Sequence, residues 1–226
     1  MLRISVISVQ PKMFEGFLTE SIVARAQKKG ACEIFIRDLR DFAHDKRRTV
    51  DDKPYGGGPG MLMMCAPWFE AVETVCPERT PGTRVIMTTP AGRKFTQADA
   101  RELAKAEHLV FMCGHYEGFD ARIRTLATDE YSIGDFVMTG GELAAAAMTD
   151  AIVRLLPGVL GGGLAATASE SFTDNLLEAP QYTHPAEFRG MKVPQVLIDG
   201  DHRKAEAWKR GEAIKLTREV RPDLLK

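Results

Sequence analysis

Three glycine-rich segments each follow a short apolar run: residues 88–94 (TTPAGRK), 113–120 (CGHYEGFD) and 132–142 (SIGDFVMTGGE). In open parallel sheets, ligands bind at the carboxyl ends of the strands, where loops without side-chain bulk let backbone N–H and C=O groups reach them. Taken singly, each segment reads as a tight turn; taken together, they read as the walls of one pocket. A fourth segment, residues 47–61 (RRTVDDKPYGGGPGM), joins a basic pair, an acidic pair and the glycines 56, 57, 58 and 60. It is no Rossmann fingerprint, because a charged loop precedes it and Pro59 removes an amide donor. No Gly-Lys-Ser/Thr follows, so it is no P-loop either.

Such loops need strands ending beneath them. Residues 2–9 read as a buried strand through Ile4, Val6 and Val9. Phe14, Phe17, Leu18, Ile22, Val23 and Ala26 recur at helical spacing, and Lys28, Lys29 and Gly30 close that helix. Residues 32–37, 84–89 and 109–113 read as further strands, and 131–138 as strand in part. Helices are expected over 67–75, over 96–107 behind the Thr96/Asp99 capping pattern, and over 142–156, stopped by Pro157 and Gly158. Strands alternating with helices, and apolar runs rather than strict alternation, predict an α/β fold: a parallel sheet with helices on both faces. That domain spans 1–160. Residues 161–172 have the composition of a flexible linker, and 173–226 read as a small, mostly helical domain.

The chain has 226 residues, 30 Lys+Arg against 31 Asp+Glu, and 44% apolar residues, which excludes collagen, coiled coil and a disordered tail. Its four cysteines, Cys32, Cys65, Cys76 and Cys113, form no CxxC pair, so reduced thiols in a cytoplasmic protein without structural zinc are expected. Pro11 and Lys12 interrupt the N-terminal run too early for a signal peptide, and no window approaches the ~20 apolar residues of a membrane span. A balanced net charge leaves nucleic-acid binding to local patches. One such patch is Arg203, Lys204, Lys209, Arg210, Lys215, Arg218 and Arg221, readable as a solvated helix face or as a phosphate-facing surface.

DDKPYGGGPGM, CGHYEGFD, YSIGDFVMTGGE, LPGVLG, ESF with LLEAPQYTHP, and VPQVLIDGDH occur here in one order across nearly the whole chain. In that order they resemble the bacterial tRNA (guanine-N1)-methyltransferases that act at tRNA position 37, a family of the SPOUT class. The resemblance implies a deep trefoil knot, S-adenosylmethionine as methyl donor, a homodimer, and the tRNA anticodon loop as partner, with no DNA and no membrane. It carries the donor site onto Gly114, Ile133, Gly134, Asp135, Phe136, Val137 and Met138, with Pro90, Gly92, Gly140 and Gly141 as further walls. Tyr116 and Glu117 match substrate or cofactor contacts, Glu117 facing the methionine amino group or a divalent ion such as Mg2+.

Methylating guanine N1 requires a base to remove its proton and a cation to stabilise charge on O6. The resemblance places the base at Glu170 and the cation at Arg154. Read alone, Arg154 is a helix C-terminal arginine facing the dipole, and Glu170 a solvated carboxylate. The family usually has aspartate at the base, and one extra methylene exceeds the ~0.5 Å tolerance of a catalytic group, so either the backbone compensates or Asp174, four residues on, contributes instead; Glu170 is favoured over Asp174, and the choice between them stays open. His115 and His184 stand where the family commonly has arginine, and the chain stops at Lys226, earlier than many relatives. Trp208 is expected to pack the small domain, and Tyr182 and His184 to reach a guanine that must be unstacked before its N1 is accessible.

Overall fold

The computed structural model describes residues 1–161 and 170–225. Strand β1 (Leu2–Ser8) is followed by helices α1 (Glu15–Thr19) and α2 (Ser21–Lys28), and by strand β2 (Cys32–Asp38). A short pair, β3 (Asp51–Asp52) and β4 (Leu62–Met63), precedes helix α3 (Cys65–Val75). Then come β5 (Thr83–Lys94), α4 (Gln97–Leu103), β6 (His108–Cys113), β7 (Asp129–Ser132) and α5 (Glu142–Val153). The main sheet runs β2-β1-β6-β5-β7, and every neighbouring pair is parallel.

Alternation along the central strands splits the core in two. Ile4, Val6, Ile86, Leu109 and Phe111 face α2, α4 and α5, where Ala26, Leu103, Ala145, Met148 and Ile152 pack against them. Ile7, Val85, Met87, Val110 and Met112 face the opposite side, where Trp68 and Val72 of α3 close the layer. Both faces are therefore dry, as a parallel sheet requires.

Four boundaries differ from the sequence reading. The first helix is broken at Glu20, which is extended, and Gln27 Nε2 donates to the Leu18 carbonyl at 2.9 Å, satisfying the interrupted helix end. The segment read as a loop at 88–94 continues β5: after an irregularity between Thr88 and Arg93, Arg93 pairs with Tyr131 and Lys94 with Ser132. Helix α4 stops at Leu103 because Glu107 gives its N–H to the Gly82 carbonyl and its own carbonyl to Arg3 N–H, tying this stretch to the strands. Residues 133–138 leave the sheet after β7, where Ser132 Oγ bonds the Gly134 backbone. The Thr96/Asp99 capping box is present as expected.

Asp129 lies at the sheet edge, its side chain 8% exposed, gripped by both arms of Arg84 and by the Thr128 hydroxyl. Burial pushes its carboxyl up, but the Arg84 and Thr128 hydrogen bonds outweigh that and hold it below the usual carboxylate range. A depressed carboxyl contributes stability that is complete above its unfolded value of ~3.9 and is lost as pH falls toward the folded value. The urea midpoint is thus expected to drop below about pH 4, and Asp129→Asn to cost about 2 kcal/mol near neutrality with a shallower acid fall. Equal acid slopes in both proteins would remove Asp129 from the acid response.

The chain divides into two compact units, Met1–Gly161 and Gly162–Lys226. Residues 162–169, most of the stretch expected as linker, and Lys226 lie outside the described residues. In the second unit a hairpin of β8 (Glu187–Phe188) and β9 (Met191–Lys192) precedes helix α6 (His202–Val220). Asp201 caps α6 by accepting from the N–H groups of Arg203 and Lys204. Thr217 is buried on its inner side and accepts the Leu177 N–H at 2.8 Å, fixing the 170–178 segment to the helix. Trp208 packs at a tilt against Tyr182, centroids 6.3 Å apart. Among the described residues, no helix is long and apolar enough to cross a membrane.

Candidate active site

The ends of β6 and β7 and the irregular stretch of β5 meet at one edge of the main sheet. There a cavity of about 380 Å³ opens between the irregular stretch of β5 after Met87, the ends of β6 and β7, and the first turn of α5. Its volume suits a small-molecule ligand, for which pockets run from about 300 to 1,000 Å³. One wall is Thr88, Thr89 and Pro90; a second is the 114–119 loop; the third is the 132–141 segment returning from β7 to α5.

The walls are joined through backbone. Gly141 donates its N–H to the Gly114 carbonyl at 2.8 Å, and His115 and Gly140 form an antiparallel bridge. Glycine is needed for that approach: a Cβ on Gly141 would stand 1.9 Å from Thr88 Oγ1, and one on Gly114 would stand 2.6 Å from the Phe119 ring. The glycine hairpin at 53–61 lies outside the lining and acts as a buttress. Glu117 donates its N–H to Met61 O, Met63 donates to Gly118 O, and a Cβ on Gly60 would fall 2.3 Å from the Glu117 side chain.

Pro90, Gly114, Tyr116, Glu117, Ile133, Gly134, Phe136, Val137, Met138, Gly140 and Gly141 line the cavity. Gly92 and Asp135 do not. Gly92 lies behind the wall, where a Cβ would be 2.5 Å from Tyr131 N, and Asp135 points outward, pairing with Lys94 Nζ at 2.9 Å. Tyr116 adopts φ 58° and receives an Arg40 hydrogen bond at 3.5 Å; burial, with Asp51 nearby, pushes its phenol up from the usual value. Arg154 is the half-buried C-cap of α5, outside the lining. In the second unit Glu170 is half-buried, whereas Asp174 is exposed and pairs with Arg210 Nη1 at 4.0 Å. Among the described residues, no three His, Cys, Asp or Glu side chains converge as a metal site.

Sequence reasoning missed Arg124 and Glu130, which line the cavity as a bidentate pair with both bonds at 2.8 Å. It also missed the acid at the helix start. Glu142, 1% exposed, accepts from Ser8 Oγ at 2.7 Å across 134 positions of sequence. A glutamate following two glycines gives no local sign of that burial.

Nearly the whole chain, residues 2–226, matches the sequence model of the tRNA (guanine-1)-methyltransferase TrmD family. It is 53% identical to a tRNA (guanine-N(1)-)-methyltransferase of Limosilactobacillus fermentum, over 100% of this chain and 90% of the relative. Proteins of the same name from Geobacillus kaustophilus and Geobacter sulfurreducens are 53% and 52% identical, each over 99% of this chain and 91% of the relative. With the match running from the first strand through α6, the chain belongs to the tRNA (guanine-1)-methyltransferase family.

Proposed function

We propose that this enzyme transfers a methyl group from S-adenosylmethionine to N1 of guanosine 37 in the tRNA anticodon loop, giving 1-methylguanosine. The observation that carries the reading is the backbone-walled cavity between the irregular stretch of β5 and the ends of β6 and β7. Its residues fit a nucleoside-type donor: Ile133, Met138, Ala144 and Pro90 offer apolar surface, the 133–141 backbone offers donors and acceptors, and Glu117 offers a carboxylate for an amino group. When bound, S-adenosylmethionine supplies an electrophilic methyl on sulfur. Mg2+ has no convergent set of ligands among the described residues, and Glu117 alone would be its nearest protein contact in this reading.

The residues carry the remaining roles. Glu170 takes the N1 proton, and Arg154 stabilises the charge that this leaves on O6. The 1–160 region acts as the methyltransferase domain, 161–172 as linker, and 173–226 as the tRNA-binding domain. A trefoil knot is supported by β6 lying between β1 and β5, and by the 132–141 segment crossing back onto Gly114. A homodimer is supported by Phe136, Val137 and Leu143, apolar residues 55%, 87% and 58% exposed beside the cavity and on α5. On α6, Lys204, Lys209 and Lys215 each pair with an acid three residues earlier. Exposed pairs of that kind are worth ~0.5 kcal/mol, so phosphate displaces the acid readily.

Single-turnover methyl transfer to tRNA bearing guanosine at positions 36 and 37 tests the reading. Product at guanosine 37 that disappears when adenosine replaces it is expected. No product above background, with tRNA bound, would leave an RNA-binding protein without catalysis.

A further inference from the structure

We propose that Glu142 is a specificity-determining residue of the methyl donor site: its buried negative charge, set against the cavity wall at Gly140, favours the sulfonium donor over the neutral thioether that transfer leaves behind. The inference rests on reading the cavity as the donor site.

Glu142 is the first residue of α5, and its carboxylate is buried. One oxygen accepts from Ser8 Oγ at 2.7 Å, and Ser8 Oγ in turn accepts the Gln10 N–H at 2.8 Å, so the side chain is anchored to the end of β1. A negative charge at the start of a 12-residue helix is favoured by the free peptide N–H groups and the helix dipole. Glu142 is not part of the cavity lining; it meets the wall from outside. Gly140 lines the cavity, and a Cβ on it would stand 2.2 Å from Glu142 Oε2. Glycine at that position lets a full charge lie directly behind the space a ligand fills.

No fixed cation cancels the charge. Among the described residues, no lysine or arginine pairs with Glu142, and His115 Nδ1 faces it at 3.7 Å, beyond hydrogen-bond length. Arg124 is the one arginine of the lining, and Glu130 already binds its guanidinium through two bonds. Cys113, fully buried at the end of β6, registers the field: burial and the Glu142 charge both push its thiol up. Glu117, the other carboxylate of the lining besides Glu130, is exposed, so water and salt screen it, whereas a buried charge is screened much less.

Donor and product differ at one atom. During transfer the methyl–sulfur bond breaks, its electron pair stays on sulfur, and the methyl carbon bonds to guanine N1; the ligand loses its positive charge and keeps its nucleoside and amino-acid parts. A unit charge about 10 Å away in an effective dielectric of ~20 changes the affinity of a cation by about tenfold. The donor is held, and the product let go, by a charge outside the lining.

The test is calorimetric binding of S-adenosylmethionine and S-adenosylhomocysteine to the full chain, without tRNA, at about 0.5 M salt, where exposed charges are screened. Glu142→Gln keeps the shape and an acceptor for Ser8. It is expected to weaken S-adenosylmethionine by about tenfold while S-adenosylhomocysteine changes by less than about twofold. Glu142→Met should shift the ratio of the two affinities in the same way, and either variant decides the matter if the other fails to fold. Glu142→Asp retains the charge and should retain the wild-type ratio. Equal losses for both ligands, as a packing role would produce, or an unchanged ratio in the Gln or Met variant, overturn the inference and leave the donor site standing. Failure of wild type to bind either ligand overturns the donor-site reading, and this inference with it.

Discussion

Glu170→Gln is expected to lower single-turnover methyl transfer by about 10²- to 10⁴-fold while leaving S-adenosylhomocysteine affinity close to wild type. Guanine N1 carries a proton at neutral pH, and its lone pair becomes a nucleophile only as that proton leaves. Glutamine keeps the size of the side chain and removes the acceptor, so the loss reports proton removal and not packing. Arg154→Ala should lose about 10²- to 10³-fold by withdrawing the cation from the developing O6 charge. Neither residue is among those lining the cavity, which is why donor affinity separates from turnover in both variants. Asp174 is the competing base. Its side chain is 74% exposed and pairs with Arg210, an environment that holds a carboxylate in water, so Asp174→Asn should stay near the wild-type rate. A large loss in Asp174→Asn with an unchanged Glu170→Gln would transfer the role to Asp174. Glu170→Asp adds a geometric check: if the backbone is set for the longer side chain, shortening it by one methylene costs rate.

What the sequence discloses depends on how local the cause is. The Thr96/Asp99 box, the apolar strands and the Gly30 stop were legible because each is written within a few residues. The convergence of three glycine segments was legible at lower resolution, because a parallel sheet forces successive strand ends to one edge. The break at Glu20 was not legible, since it is stabilised by Gln27 reaching back to Leu18 from the next helix. Nor was the extension of β5 through Pro90 and Gly92. That stretch has the residues of a loop, and it becomes strand only because β7 re-pairs with it after the irregularity. The Ser8–Glu142 contact is the extreme case, two residues at opposite ends of the first unit joined by tertiary packing alone. Most of the residues that the resemblance carries to a donor site line this cavity, but the resemblance could not separate Gly92, which shapes the wall from behind, from glycines that face the space.

Gly92→Ala is accordingly expected to do more damage than a substitution in the lining. Its Cβ would stand 2.5 Å from Tyr131 N, 2.6 Å from Glu130 C and 2.6 Å from Tyr131 C, all backbone atoms of β7 that cannot rotate away. The only relief is to part β5 from β7. That movement pulls on Arg93, which bonds the Tyr131 hydroxyl at 2.5 Å and pairs with Asp99, and through Asp99 on the Thr96 cap of α4. Tyr131 is held in a site where burial, with Asp99 beside it, pushes its phenol to about 12, so displacing it strands a buried hydroxyl. Overpacking of this kind costs about 3 kcal/mol or more when backbone has to move. Because Ile133 and Gly134 follow directly from β7, the same shift opens the cavity, and S-adenosylhomocysteine affinity should fall at least about tenfold in whatever fraction stays folded. Gly16→Ala provides the contrast within the same unit. No atom lies within 4 Å of its Cβ, it sits in α1, and alanine there should be neutral or stabilising by up to about 1 kcal/mol. Urea midpoints and donor affinities of the two variants separate the cases, and a Gly92→Ala protein with the wild-type midpoint would show that β5 and β7 are not locked at this contact.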